Sequence, residues 1–239
     1  MTRILSRAGR ICCVAAGTIL LASACRASCP VNTYAHENYV VFYDCDSANQ
    51  PRLNVVVLDD ASPLKVVGQA PFSNPRGIDA FHIGNEKLTV LTWDLVEVYS
   101  LKDPAHPVRN GSWHIKNQGS FAGYPRIEEI SADKLLLLAS VGAAELDMTG
   151  AQSSWTLKDL PASAETQKKM SDWPPERTYD FARDPAVTIL ETPKYRYELK
   201  WKFTNRPGEA ISRQYLRRLA KAGGPVAELR LGERIETID

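Results

Sequence analysis

The strongest constraint on this chain is a run of short strands and turns that is written out twice, the second copy about 48 residues after the first. Gly77–Ile83 alternates in polarity and ends at Gly84-Asn85. Lys87–Thr92 and Leu95–Tyr99 follow, then a loop holding Asp103-Pro104 and Pro107, then Val108–Trp113. The order returns as Arg126–Ile130, a Ser131-Ala132-Asp133 turn, Lys134–Ala139, Ala143–Met148, a Thr149-Gly150 turn and Ser153–Leu157. Leu88 and Leu135 hold equivalent places, as do Val98 and Leu146. Upstream, Tyr39–Tyr43, Leu53–Leu58 and Leu64–Gln69 read as three further strands, parted by the loop Asp44–Arg52 and the turn Asp59–Pro63. The chain reads as all-β.

Four short strands per unit of this length is the pattern of a β-propeller blade. Val96-Glu97-Val98-Tyr99-Ser100-Leu101-Lys102-Asp103-Pro104-Ala105-His106-Pro107-Val108 also resembles the LVIVD-type repeat of bacterial extracellular propellers. In that family such a stretch leads into the outer strand of a blade. Leu53–Gly68, with Asp59-Asp60-Ala61-Ser62-Pro63-Leu64, is a looser version. The resemblance spans roughly residues 39–157 and implies propeller-like repeats of four short antiparallel strands. A β-sandwich is the alternative, because a type I turn accounts equally well for Asp-Pro and Pro-Val.

Residues 39–160 supply two full units and most of a third, so 161–239 must complete the same domain. Pro161–Glu176 reads as a polar surface loop, and Ala186–Glu191 as a strand. Lys194–Phe203 has the cleanest alternation in the chain. Tyr195, Tyr197, Leu199, Trp201 and Phe203 point one way; Lys194, Arg196, Glu198, Lys200 and Lys202 point the other. Beyond it, Pro207 suits a first helical position. The spacing of Ile211, Tyr215, Leu216 and Leu219 predicts one C-terminal amphipathic helix over Gly208–Ala222, stopped by Gly223-Gly224. Ala227–Leu231 reads as a last strand.

The first 24 residues read as a signal peptide. Arg3, Arg7 and Arg10 precede an apolar run from Ile11 to Leu21, and Ala22-Ser23-Ala24 stands directly before Cys25. The run is far below the ~20 residues of a membrane-crossing helix. Leu20-Leu21-Ala22-Ser23-Ala24-Cys25 resembles the bacterial lipobox, whose cysteine receives a diacylglycerol, although the family places leucine where Ala22 stands. Ordinary signal peptidase, acting at Ala22-Ser23-Ala24, is the other route. Lipid on Cys25 leaves an even pair, Cys29 and Cys45, to form a disulfide in an oxidising compartment. Residues 25–38 then read as a lipid-anchor tether. Arg26 is not the aspartate that, by the same resemblance, retains lipoproteins at the inner membrane. The expected location is therefore the periplasmic face of the outer membrane, or, without the lipid, the soluble periplasm or the exterior.

Taking the three signal arginines from 29 basic residues leaves the exported chain two short of its 28 acidic ones. That balance speaks against a nucleic-acid partner. His36, His82, His106 and His114 form no paired ligand motif, so neither a metal nor a cofactor is expected. Gly119-Ser120-Phe121-Ala122-Gly123 lacks the spacing of a nucleophile elbow. Asp59-Asp60 and Glu128-Glu129 are carboxylate pairs of the kind a glycosidase uses, but adjacent strand residues diverge. Trp93 and Trp113 fall at strand ends.

The best candidate surface is basic: Lys194, Arg196, Lys200 and Lys202 on the alternating strand, with Arg213, Arg217, Arg218 and Lys221 on the expected helix beyond it. The expectation is a lipid-anchored periplasmic binding protein, not an enzyme, acting on another periplasmic or secreted protein as an envelope scaffold or assembly factor. An immunity protein that inhibits a secreted toxic enzyme is the first alternative, and an envelope-polymer hydrolase the second.

Overall fold

The computed structural model describes residues 32–45, 50–72, 78–119, 125–164, 168, 186–206 and 209–237. The signal peptide, Cys25 and Cys29 lie outside them. Among the described residues, sixteen strands make four antiparallel sheets of four, each a meander in chain order. The first sheet contains β1 (Asn32–His36), β2 (Tyr39–Cys45), β3 (Pro51–Val57) and β4 (Gly68–Pro71). The second contains β5 (Ala80–Gly84), β6 (Lys87–Leu91), β7 (Leu95–Ser100) and β8 (Val108–His114). The third contains β9 (Arg126–Ser131), β10 (Lys134–Ala139), β11 (Gly142–Asp147) and β12 (Thr156–Leu160). The fourth contains β13 (Ala186–Glu191), β14 (Tyr195–Arg206), β15 (Glu209–Ala220) and β16 (Gly223–Thr237). The architecture is all-β with propeller-like four-stranded repeats.

Alternation explains how the sheets stack. In β2 and β3, Val41, Tyr43, Leu53 and Val55 face the second sheet, where they bury Ile83, Leu88, Val90 and Tyr99. The intervening Val40, Phe42, Val56 and Leu58 face the fourth sheet and meet Tyr197, Leu199, Leu216 and Leu231. The second sheet repeats the device: Leu91, Val96 and Val98 turn towards Leu135, Leu137, Ala144 and Leu146 of the third. The packing order is thus fourth, first, second, third, with a strand-period apolar layer at each junction. The first strands of successive sheets lie side by side, β1 against β5 and β5 against β9.

Several expectations need correction. Residues 32–36, assigned to the tether, form β1, which pairs with β2 from Asn32↔Tyr43 to His36↔Tyr39. The third strand runs over Gly68–Pro71 rather than 64–69. Leu88 and Leu135 are equivalent, each facing the preceding sheet, but the match for Leu146 is Tyr99. Leu146 pairs with Leu135 as Tyr99 pairs with Leu88, whereas Val98 faces the following sheet. The C-terminal helix is absent: residues 209–220 are β15, in register with β14 from Arg206↔Glu209 to Tyr195↔Ala220. Gly223 and Gly224, at φ of 129° and 54°, lead out of the hairpin turn into β16 instead of stopping a helix. The fourth sheet's last three strands are also long, so the repeat is not uniformly short.

Candidate functional site

The hairpin β14–β15 collects the basic residues on the side of the fourth sheet that faces away from the first. Antiparallel partners share a face, and the register sets Arg196 opposite Leu219, Glu198 opposite Arg217, Lys200 opposite Tyr215, and Lys202 opposite Arg213. β16 adds Glu228 opposite Arg217 and Arg230 opposite Tyr215, and Glu233 stands opposite Arg213. On the other flank Glu191 of β13 pairs with Arg196. Lys194 lies in the turn before β14, and Lys221 in the turn before β16. Of the eight residues of the expected basic surface, seven belong to this face or its end, although Arg213 and Arg217 arrive on a strand rather than a helix; Arg218 stands opposite Tyr197, faces the first sheet and donates to the Ser62 carbonyl.

Acidic residues partly offset this face. Arg196 Nε is 2.9 Å from Glu198 Oε1, Lys202 Nζ 3.3 Å from Glu228 Oε1, and Arg217 Nε 3.6 Å from Glu228 Oε2. Lys202 also rests 4.2 Å from the ring centre of Tyr215. The side chains of Lys194, Lys200 and Lys221 meet no carboxylate among the described residues, and the positive surplus sits with them. Arg196 and Lys221, with Glu191, Leu219, Gly223 and Gly224, line a depression of about 290 Å³ at the turn end of the sheet. It offers charge but little enclosure.

The carboxylate pairs that a hydrolase would need are occupied elsewhere. Asp59 Oδ1 accepts the backbone N–H of Ala61 at 2.7 Å and of Ser62 at 2.5 Å. Hydrogen bonds from the Ser62 side chain and backbone hold the Asp59 carboxyl below the usual aspartate range. Asp60 Oδ1 accepts the Thr192 hydroxyl at 2.6 Å, joining the first sheet to the fourth. Glu128 and Glu129 diverge as alternation requires: Glu128 accepts Arg126 Nε at 2.8 Å, while Glu129 Oε2 approaches His82 Nε2 at 3.6 Å.

Two polar clusters escape the sequence reading. Glu97, 1% exposed, accepts Arg109 Nη1 at 2.6 Å and the Tyr99 hydroxyl at 3.1 Å. Burial and that neighbouring carboxylate push the Tyr99 phenol well above its usual range. Tyr99 is also 3.1 Å from the carbonyl of Pro71, so the cluster fastens the second sheet to the first. Its signal in the sequence is a glutamate inside an otherwise apolar strand, Leu95–Ser100. The other cluster gathers three strands: the rings of His36 and His82 are 6.3 Å apart, and His82 meets Glu129. No spacing rule predicts it, since each residue comes from a different sheet. No group of three or more metal-binding side chains is found among the described residues. Of the tryptophans, Trp93 is 51% exposed between β6 and β7, whereas Trp113 packs against the core between the second and third sheets.

No family model matches this chain, and no curated protein is similar to it. Among solved structures, a protein from Lactobacillus plantarum overlaps 82% of the chain and 54% of its own, with 10% identity and a TM-score of 0.37. A hypothetical selenium-binding protein from Sulfolobus tokodaii overlaps 89% of the chain and 43% of its own, with 11% identity and a TM-score of 0.32. The chain spans about half the length of these structures or less. The fold is accordingly defined by its own strand order and register.

Proposed function

We propose that this chain is a lipid-anchored protein of the bacterial cell envelope that holds an acidic protein partner against the outward face of its fourth sheet, as a scaffold or assembly factor. One observation carries the reading: Lys194, Arg196, Lys200, Lys202, Arg213 and Arg217 occupy one face or its end. A long sheet face bearing surplus positive charge favours a broad protein surface over a small molecule, and charge of this kind acts mainly on encounter rate and orientation. The signal-like N-terminus supports export, and Cys25 offers the attachment point for lipid.

The test is capture from the native host with the detergent-extracted chain, read by quantitative mass spectrometry. Arg196→Glu, Lys200→Glu and Lys202→Glu together should lower recovery of the partner at least ten-fold at low salt and leave the thermal midpoint in place. Unchanged recovery removes the basic face from the interaction. Recovery of envelope-machinery subunits fits a scaffold, while one stoichiometric secreted enzyme converts the reading to an inhibitor.

A further inference from the structure

The outer strands of the first three sheets are short: β4 has 4 residues, β8 has 7 and β12 has 5. β16 has 15, and no described strand lies along its outer edge. A strand edge of that length presents a row of backbone donors and acceptors able to pair with another strand. Pro225 removes one donor near its start, and from Val226 to Thr237 there is no further proline.

We infer that β16 is a self-association edge, pairing antiparallel with β16 of a second copy of this chain around a two-fold axis at Leu229. Charge complementarity points to that occupant and, over axes one residue to either side, to that register. With Leu229 opposite itself, Glu228 faces the second copy's Arg230, and Arg230 faces its Glu228. Sliding the register so that the axis passes through residue 228 or 230 sets two glutamates or two arginines against each other. Shifts of an odd number in the sum of paired positions set inward-facing leucines beside outward-facing charges.

Exposure agrees with this arrangement. Val226, Glu228 and Arg230 are exposed, while Ala227, Leu229 and Leu231 turn inward, Leu229 and Leu231 against the layer shared with the first sheet. Glu228 meets Lys202 and Arg217 of its own chain at 3.3 and 3.6 Å, separations that leave lone pairs on the carboxylate for a further donor. Two copies joined in this way share one continuous eight-stranded antiparallel sheet, and their basic faces lie on the same side of it.

The full chain, purified from its native host in mild detergent, is examined by sedimentation velocity from one to one hundred micromolar. A concentration-dependent dimer is expected. Glu228→Arg and Arg230→Glu each place like charges across the axis, so each variant alone should sediment as a monomer. An equimolar mixture of the two restores both opposite-charge pairs and should recover the dimer, a result that loss of folding cannot imitate. A wild-type monomer throughout the range overturns the inference. So do dimers that persist in either variant alone, or a mixture that stays monomeric. A different host protein that co-purifies and is lost on Glu228→Arg, a change that adds positive charge to the basic face, also overturns it, by giving the edge to another partner.

Discussion

The Tyr197 hydroxyl donates to the backbone carbonyl of Asp59 at 2.6 Å, across the junction between the fourth sheet and the first. Arg218 joins it, with Nη1 2.7 Å from the Ser62 carbonyl and its guanidinium 4.8 Å from the Tyr195 ring centre. The Tyr197 residue is fully buried, and burial raises its phenol above the usual range, so it remains a donor at any physiological pH. Tyr197→Phe leaves the ring in the core and deprives the Asp59 carbonyl of its phenolic donor. It should cost about 1–2 kcal/mol, read as a lower urea midpoint with an unchanged slope. A midpoint equal to that of the wild type would mean that the carbonyl finds another donor without loss.

Gly68 is tested on different grounds. A Cβ there would lie 2.0 Å from the Pro104 carbonyl oxygen and 2.9 Å from Pro107 Cδ. Both neighbours belong to the loop that resembles the propeller repeat, so the glycine permits β4 to lie under that loop. Neither a proline ring nor a backbone carbonyl can swing aside as a flexible side chain would. Gly68→Ala should destabilise by about 1–3 kcal/mol in equilibrium unfolding. An alanine variant as stable as the parent would show that the loop between β7 and β8 moves freely over the first sheet.

His82 should make stability fall in mild acid. Burial lowers its pKa below the usual 6.5; the Glu129 carboxylate opposes that shift and His36 adds slightly to it. The unfolded chain then takes up a proton more readily than the folded one. The contribution is fully present above about pH 6.5 and is lost as pH falls from there towards the folded value. Thermal midpoints measured between pH 7.5 and 5 should decline less in His82→Asn than in the wild type. Glu129→Gln removes the favourable charge and should steepen the decline. Parallel curves for all three proteins would refute this account.

The cysteine expectation pairs Cys45, at the end of β2, with Cys29, which lies outside the described residues. Mature protein alkylated before and after reduction should differ by two blocked thiols, locating one disulfide at Cys29 and Cys45. Its removal should cost about 3 kcal/mol by the loop-entropy estimate. Two reactive thiols before reduction would exclude the bridge.

Much of the fold is legible because strand identity here follows from alternation and turns. Lys134–Ala139 and Ala186–Glu191 read from sequence with their observed limits, and the Asn85 turn reads from the residue that best tolerates its φ of 48°. β1 does not, because Asn-Thr-Tyr-Ala-His has no apolar run, and its extended shape comes from pairing with β2. β15 deceives for a related reason. Tyr215, Leu216 and Leu219 fit a helical stripe, yet Leu216 faces the first sheet while Tyr215 and Leu219 face away. The twelve-residue register with β14 overrides the local preference. At the candidate site, the basic strand was readable, but its neighbours were not. The carboxylates that temper it, Glu191 and Glu228, reach it only through pairing.

The central position of the first sheet bears on how the chain acquires its structure. One side of that sheet is completed by residues 78–101, which emerge soon after it, and the other by residues 197–231. Until the last quarter of the chain has been made, Val40, Phe42, Val56 and Leu58 have only Ala35, Leu64 and Val66 beside them and lack the cover of Tyr197, Leu199, Leu216 and Leu231. Pairing of such distant segments is slow, and an uncovered β-surface is prone to aggregate while it waits. A chain crossing a membrane N-terminus first carries this unfinished surface into the receiving compartment ahead of its cover. The exposure of that surface ends when β16 docks.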